Sequence, residues 1–384
     1  MSKEKRLFIA QMEPWFDEHE ALAVYEYMKQ GGWVTEFKKT REFEQMIADF
    51  TGARYCSVVC NGTVSLLVAL LACGVGPGDD VIVPDYTMVA TPNAVKLAGA
   101  NVIFADISAN SLCLDFEAMK KAVSARTKAI MLVTINGRYP NNIQDFIEFC
   151  QQRGIRLIED AAQSLGSFKS GHHLGTFGNI GSFSFSAPKI ITTGQGGALV
   201  TNDDSLIQRV RLLRDFGRTA GGADHYLTMG WNFKFTDIQA VIGIEQMKKL
   251  PWRIKRKREL YALYRYHLEA TPGISLIPTL LDDTTPWFVD VLVAEGLRNP
   301  LIEHLAARGI GTRPFYPALH SEPVYSLTKT FPVAERISRQ GLWLPSSSQL
   351  DDESVERICD EVKSFMRSRG CLRGGTAEAS PYLA

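Results

Sequence analysis

Between Tyr55 and Asp160 the chain alternates short apolar runs with stretches of helical character, a pattern that few folds accept. Tyr55–Val59, VIVP, VIFADI, AIMLVTI and RLIED are each short and apolar enough to be buried strands. Between them lie Val64–Ala72, opened by Asn61-Gly62-Thr63, then Ala90–Ala98 and further helical stretches. Strands this apolar must be covered on both faces, so the pattern predicts an α/β fold with a mainly parallel central sheet. SFSFS and ALVTN add two strand-like segments with period-two character, and residues 16–30 and Arg41–Phe50 carry apolar residues at helical spacing. From Lys248 onward the pattern changes to a Lys- and Arg-rich helix over 250–268, the strand-like VDVLVA, a helix around Pro300–Arg308 and a last helix, Glu353–Arg367. The expected organisation is a large α/β domain with an N-terminal helical arm over 1–247 and a smaller α+β domain over 248–369. A tail over 370–384 lacks apolar periodicity and is expected to be mobile.

Composition narrows the partners. With 384 residues and 45% apolar content the chain can bury a large core, and its 42 basic and 42 acidic residues cancel. No global field favours nucleic acid or a membrane surface, so a small molecule is the expected partner. Seven cysteines without a C-x-x-C pair fit reduced thiols. MSKEKRLFIA lacks the apolar core of a signal peptide, and no apolar run is long enough to span a bilayer, so a cytoplasmic protein is expected.

Residues 170–202 contain a single formally charged side chain, Lys189. The chain average would place roughly seven charges there. Buried lysines are rare unless paired or chemically used, and desolvation favours the neutral amine that attacks carbonyls. Taken alone, the same lysine could equally reach solvent from a loop. Its neighbours add meaning. RLIED places Glu159 and Asp160 at the end of a buried strand, where open α/β sheets bind ligands. A carboxylate there can pair with the protonated ring nitrogen of pyridoxal 5′-phosphate, or simply cap a helix. Asn61-Gly62-Thr63 stands between a strand and a helix start, which suits a phosphate, although Asn-Gly is also an ordinary turn.

Five segments, NGTVSLLVALLACGVGPGDDVIVP, IEDAAQSLGS, GSFSFSAPKIITTGQGGALVTND, GWNFKFTDIQAVIG and TRPFYPALH, occur in an order that resembles the sugar aminotransferases of the DegT/DnrJ/EryC1/StrS family. The resemblance covers about residues 10 to 368 and implies the fold-type I, aspartate aminotransferase-like architecture of PLP-dependent transferases. Members that aminate a nucleotide-linked 4-keto-6-deoxy sugar are the nearest in look. By position, the resemblance implies that Lys189 holds the cofactor and moves the proton, while Asp160 pairs with the pyridine nitrogen. It further implies that Gln163 approaches the ring hydroxyl and that Gly62, Thr63 and Ser184 contact the phosphate. Asn232 would reach the phosphate of a neighbouring subunit, implying a homodimer with shared active sites. The spacing Thr236-Asp237-Ile238-Gln239 suits a capping box, so Asn232 would lie in the loop before a helix.

Three positions depart from the family pattern. Met88 in Pro84-Asp85-Tyr86-Thr87-Met88 stands where an aromatic residue usually stacks on the ring. Gln195 replaces the usual glutamate in Gly194-Gln195-Gly196-Gly197, and Asn136 replaces a tyrosine before Gly137.

The implied reaction is a ping-pong transfer from an amino acid, L-glutamate by analogy, to a keto sugar, with the cofactor alternating between pyridoxal and pyridoxamine phosphate. Family dehydratases carry histidine in place of the lysine, so Lys189 favours transfer, while a cyclitol ketone as acceptor stays open. A non-catalytic PLP-fold accessory protein is the contrasting class, and such proteins usually lose the lysine or sit beside a DNA-binding segment. Arg313 and His320 are candidate substrate contacts, although a histidine here also suits packing. No metal site is expected, because His172-His173 lack partners at ligand spacing. The run Lys255-Arg256-Lys257-Arg258 is expected to form a solvated helix face.

Overall fold

The computed structural model describes residues 8–219 and 224–370. Two helices, α1 (Glu18–Lys29) and α2 (Lys38–Thr51), precede an alternating run. That run comprises β1 (Tyr55–Val59), α3 (Gly62–Ala72), β2 (Asp80–Pro84), α4 (Ala90–Leu97), β3 (Asn101–Ala105), α5 (Phe116–Ala122), β4 (Thr127–Val133), α6 (Ile143–Arg153) and β5 (Arg156–Asp160). A short ribbon, β6 (Phe168–Lys169) and β7 (His172–His173), leads to β8 (Ile180–Ser184), β9 (Gly197–Thr201), α7 (Asp204–Arg214) and α8 (Asp237–Leu268). The remainder is β10 (Ile274–Leu276), β11 (Val289–Val293), α9 (Arg298–Ala306), β12 (Arg313–Pro314), α10 (Pro332–Gln340), β13 (Gly341–Leu344) and α11 (Asp352–Ser368).

Seven strands form one sheet in the order β1-β9-β8-β5-β4-β2-β3. Pairing is parallel from β8 through β5, β4 and β2 to β3, while β9 runs antiparallel to both β1 and β8. The interior strands are buried along nearly their whole length, which is why they read as unbroken apolar runs rather than as alternation. A second sheet, β10-β11-β13-β12, is antiparallel throughout.

Helix α8 departs from expectation. It begins at Asp237 rather than near residue 250, runs 32 residues and carries Pro251 in its interior. Its first half packs Ala240, Ile244, Met247 and Leu250 against Phe43, Ile47 and Val58. Its second half packs Leu260, Tyr261, Tyr264 and Leu268 against Val289, Val291, Leu342 and Leu344 of the second sheet. The helix is thus common to two cores, and the expected boundary at 247/248 falls inside it. Tertiary burial on both sides of Pro251 outweighs the loss of one backbone donor.

The basic run is also not the solvated face expected of it. Lys255 is exposed, but Lys257 is buried and its Nζ donates to Ser346 O at 2.6 Å. Arg256 folds back onto Asp352 and Leu350 O. Packing around α8 captures these side chains, where composition alone suggests solvent. The tail expected over 370–384 lies, from residue 371 on, outside the described residues.

Asp237 fastens the N-terminal helices to α8. Its fully buried carboxylate accepts from the backbone N–H groups of Phe37, Lys39 and Thr40, from Thr40 Oγ1 and from Tyr27 Oη, at 2.7–3.0 Å. Burial alone would raise its pKa, but these donors outweigh it and hold the carboxyl below its usual range. A depressed carboxylate pKa contributes stability above the unfolded value and loses it as pH falls through the folded one. Asp237→Ala, which strands several buried donors, is therefore expected to cost roughly 3 kcal/mol in urea unfolding at neutral pH. The gap to wild type should narrow below about pH 4. An equal deficit at both pH values would contradict the assignment.

Candidate active site

The turn between β8 and β9 carries Lys189. Backbone bonds close it: Phe185 N donates to Gly196 O, Thr193 N to Phe185 O, and Lys189 N to Ser186 O. The lysine is only 9% exposed, which removes the solvent-reaching alternative. Its Nζ lies 4.2 Å from the centroid of the Trp287 ring, and the indole Nε1 donates to Pro188 O at 2.7 Å, fixing that ring beside the turn. Burial lowers the amine's pKa to about 8, the Asp160 charge resists that shift, and Arg313 adds to it.

Asp160 ends β5 with its side chain buried. Thr91 Oγ1, from α4, donates to Oδ2 at 2.6 Å, and Ala162 N donates to Oδ1 at 3.2 Å. Desolvation pushes its pKa up, while Thr91, Ala162 and the Lys189 charge pull the other way. The adjacent carboxylate has a different task. Glu159 accepts the N–H groups of Gly175, Phe177 and Gly178 and shapes the loop before β8. Strand alternation sends one carboxylate to the loop and the other to the Lys189 side.

The third element is the start of α3. The Asn61 side chain caps it by accepting Val64 N at 2.9 Å, and Asn61 O accepts Ser65 N. Helix geometry leaves the Gly62 and Thr63 N–H groups without intrahelical partners, at the positive end of the helix dipole. A Cβ on Gly62 would stand 2.8 Å from Ser184 Cβ and 2.9 Å from its Oγ, so only glycine lets this turn approach β8 so closely. Ser184 Oγ makes only long contacts, 3.4 Å, to Ser186. Gln163, Ser184, Lys189 and Trp287 line one small cavity.

These residues fit pyridoxal phosphate. An amine of lowered basicity suits its aldehyde, a buried carboxylate its ring nitrogen, and a capped helix start with an underused hydroxyl its phosphate.

The other expected residues lie as follows. Met88 is exposed in the loop before α4, its sulfur accepting from Ala90 N at 3.0 Å. Asn232 is exposed, bridges to Asp215 and precedes α8, whose cap Thr236 accepts from Gln239 N. The Gln239 side chain does not complete a capping box but reaches Gln195 O. Arg313 is exposed on β12 with its guanidinium over Tyr316 and Trp343. His320, the other candidate substrate contact, is buried, its Nδ1 2.7 Å from Asp85 Oδ2 and its Nε2 3.6 Å from Glu335. His173 is likewise internal, its Nε2 accepting from Gly166 N. Thr91 and Trp287 escaped the sequence reading: one is a helix-start threonine, the other an aromatic ahead of an apolar strand, and neither pattern is distinctive.

Comparisons with known proteins agree with this geometry. Residues 16–363 match the model of the DegT/DnrJ/EryC1/StrS aminotransferase family. A GDP-perosamine synthase of Vibrio cholerae is 34% identical over 341 residues, covering 87% of this chain and 93% of that protein. A dTDP-4-dehydro-2,3,6-trideoxy-D-glucose 4-aminotransferase of Saccharopolyspora spinosa is 33% identical over 361 residues, covering 89% and 94%. Among solved structures, the aminotransferase TlmJ from Streptoalloteichus hindustanus superposes with a TM-score of 0.89 at 30% identity, covering 94% of this chain and all of that one.

The lowered basicity of Lys189 has a direct readout. Capture of pyridoxal phosphate by the cofactor-free protein, followed by borohydride trapping and peptide mass spectrometry, should rise with pH around a midpoint near 8. A midpoint near the ordinary lysine value of 10.5 would contradict a buried amine.

Proposed function

This chain belongs to the DegT/DnrJ/EryC1/StrS aminotransferase family, and from that premise we propose that its acceptor is a nucleotide-linked 4-keto-6-deoxy sugar and its donor L-glutamate. The enzyme is a PLP-dependent sugar aminotransferase. The observation that carries this reading is the buried amine of Lys189 sharing its electrostatic environment with the buried Asp160 carboxylate. The choice of acceptor is supported by two relatives whose names carry GDP-perosamine and a dTDP-linked 4-dehydro sugar.

Each residue then has a task. When bound, the cofactor supplies the aldehyde and the electron sink. Lys189 would hold it through Nζ and, with that amine free, would take the proton from the donor carbon and return it, as base and then acid. An amine with a pKa of about 8 can do both near neutral pH. Asp160 would keep the ring nitrogen protonated. Gly62, Thr63 and Ser184 would bind the phosphate, Gln163 would donate to the ring hydroxyl, and Met88 would offer a softer contact than an aromatic makes. Arg313 faces the acceptor. The presence of lysine rather than histidine at 189 speaks for transfer over dehydration.

We also read the enzyme as a homodimer in which Asn232 serves the neighbouring subunit. Leu227, Met229 and Trp231 are exposed beside it, as are Trp33 and Phe37 near the start of α8, apolar side chains of the kind an interface covers. The six described cysteines are all free, which suits a reducing cytoplasm. Among the described residues no helix is long and apolar enough to cross a membrane.

The test is to supply pyridoxal phosphate, L-glutamate and a panel of 4-keto-6-deoxy sugar nucleotides and to look by mass spectrometry for exchange of the oxo group for an amino group. Lys189→Ala should lose all turnover, and Asp160→Asn should lower kcat at least about a hundredfold, ~3 kcal/mol of barrier. Full activity in Lys189→Ala would end the proposal. Met229→Lys should shift the sedimenting species from dimer to monomer and cut activity with it.

A further inference from the structure

Two features of the site are held by a residue the reaction itself does not call on. β4 ends in a tight turn, Ile135–Gly137, in which Asn136 adopts φ +54° and Gly137 φ +79°. Asparagine tolerates the left-handed region better than most side chains, whereas a bulky residue there is strained. A Cβ on Gly137 would meet Thr285 O at 2.5 Å, so the turn presses directly on the chain entering β11.

Asn136 makes four short hydrogen bonds from this position. Its side-chain Oδ1 accepts from Phe288 N at 2.7 Å, while Nδ2 donates to Phe288 O and to Asp290 Oδ2, both at 2.9 Å. The amide thus docks on the Phe288 backbone as a neighbouring strand would. Asp290 is in turn gripped by the buried Arg138 through both carboxylate oxygens, at 3.1 and 2.5 Å. Phe288 stacks on Trp287 at 3.8 Å between centroids, and Trp287 is the ring over the Lys189 amine. The fourth bond runs the other way. Asn136 N donates to Gln163 Oε1 at 2.7 Å. An N–H can bond only the oxygen end of that amide, so Gln163 is left to present its NH2 group, a donor, to the cavity it shares with Lys189.

We propose that Asn136 is a positioning residue: its side chain fixes Trp287 against the Lys189 amine, and its backbone N–H turns Gln163 so that a donor faces the cofactor's ring oxygen. The assignment rests on the aminotransferase reading for the identity of the ring oxygen, but not for the placing of Trp287. It accounts for an asparagine where the family pattern has tyrosine, because the docking needs an acceptor and a donor on one short, planar group.

Two variants test it. Asn136→Gly keeps the left-handed turn and the backbone N–H to Gln163 but removes the side chain and its three hydrogen bonds. Asn136→Asp keeps the acceptor for Phe288 N but sets a carboxylate against Phe288 O and Asp290. In cofactor-free protein, acrylamide quenching of the Trp287 fluorescence, isolated by difference against Trp287→Phe, should rise in both. Capture of pyridoxal phosphate should slow at least about tenfold in both, the loss of two hydrogen bonds or more. Wild-type quenching of Trp287 in Asn136→Gly would overturn the proposal. If the wild-type chain captured no pyridoxal phosphate, the reading of function would fail, while the quenching arm would still decide the placing of Trp287.

Discussion

Everything in this site follows from removing one amine and one carboxylate from water within reach of each other. Lys189 and Asp160 are both buried, and desolvation drives both toward their neutral forms while their mutual attraction resists. An ordinary buried ion pair would settle that tension by direct contact. Here Asp160 is instead satisfied by Thr91 and Ala162, and the lysine's close neighbour is an indole face rather than an oxygen. The two groups are held apart without a direct ion pair. The sheet order makes the separation possible, since β5 and β8 are adjacent and parallel and deliver their C-terminal ends to the same edge.

The surrounding architecture keeps that gap dry and in register. Glycine at position 62 lets the start of α3 close down on Ser184, bringing backbone donors to the same edge of the sheet. On the other side Trp287, ahead of β11 in the second sheet, walls the cavity, and the charge of Arg313 on β12 reaches Lys189. His320 and Asp85 consolidate that contact from within.

Much of this was readable in the residues themselves, for a physical reason. Strands buried on both faces must be apolar throughout, so β1 to β5 and β8 to β9 stand out without reference to partners, and an isolated lysine among them is conspicuous. The Asn61 cap is equally local. What could not be read depends on packing between distant segments. The length of α8 across Pro251 and the burial of Lys257 and of His320 are each decided by which surfaces meet, as is the wall formed by Trp287, and no spacing in the chain encodes that. Asn136 lies between the two cases: its departure from the family pattern was visible, but its partners at 288 and 290 lie far along the chain.

The two carboxylates of β5 carry a last consequence. Glu159 and Asp160 are consecutive and point to opposite sides of the strand, one into the loop before β8 and one toward Lys189. Sliding β5 by a single residue toward its C-terminal end against β4 and β8 would bring Glu159 to the place of Asp160 and Ile158 to that of Glu159, setting a longer acid on the Lys189 side and leaving the loop amides none. The chemistry is thus indexed to a hydrogen-bond ladder, and the fidelity of that ladder, clamped by a neighbour on each side, decides which acid the enzyme owns.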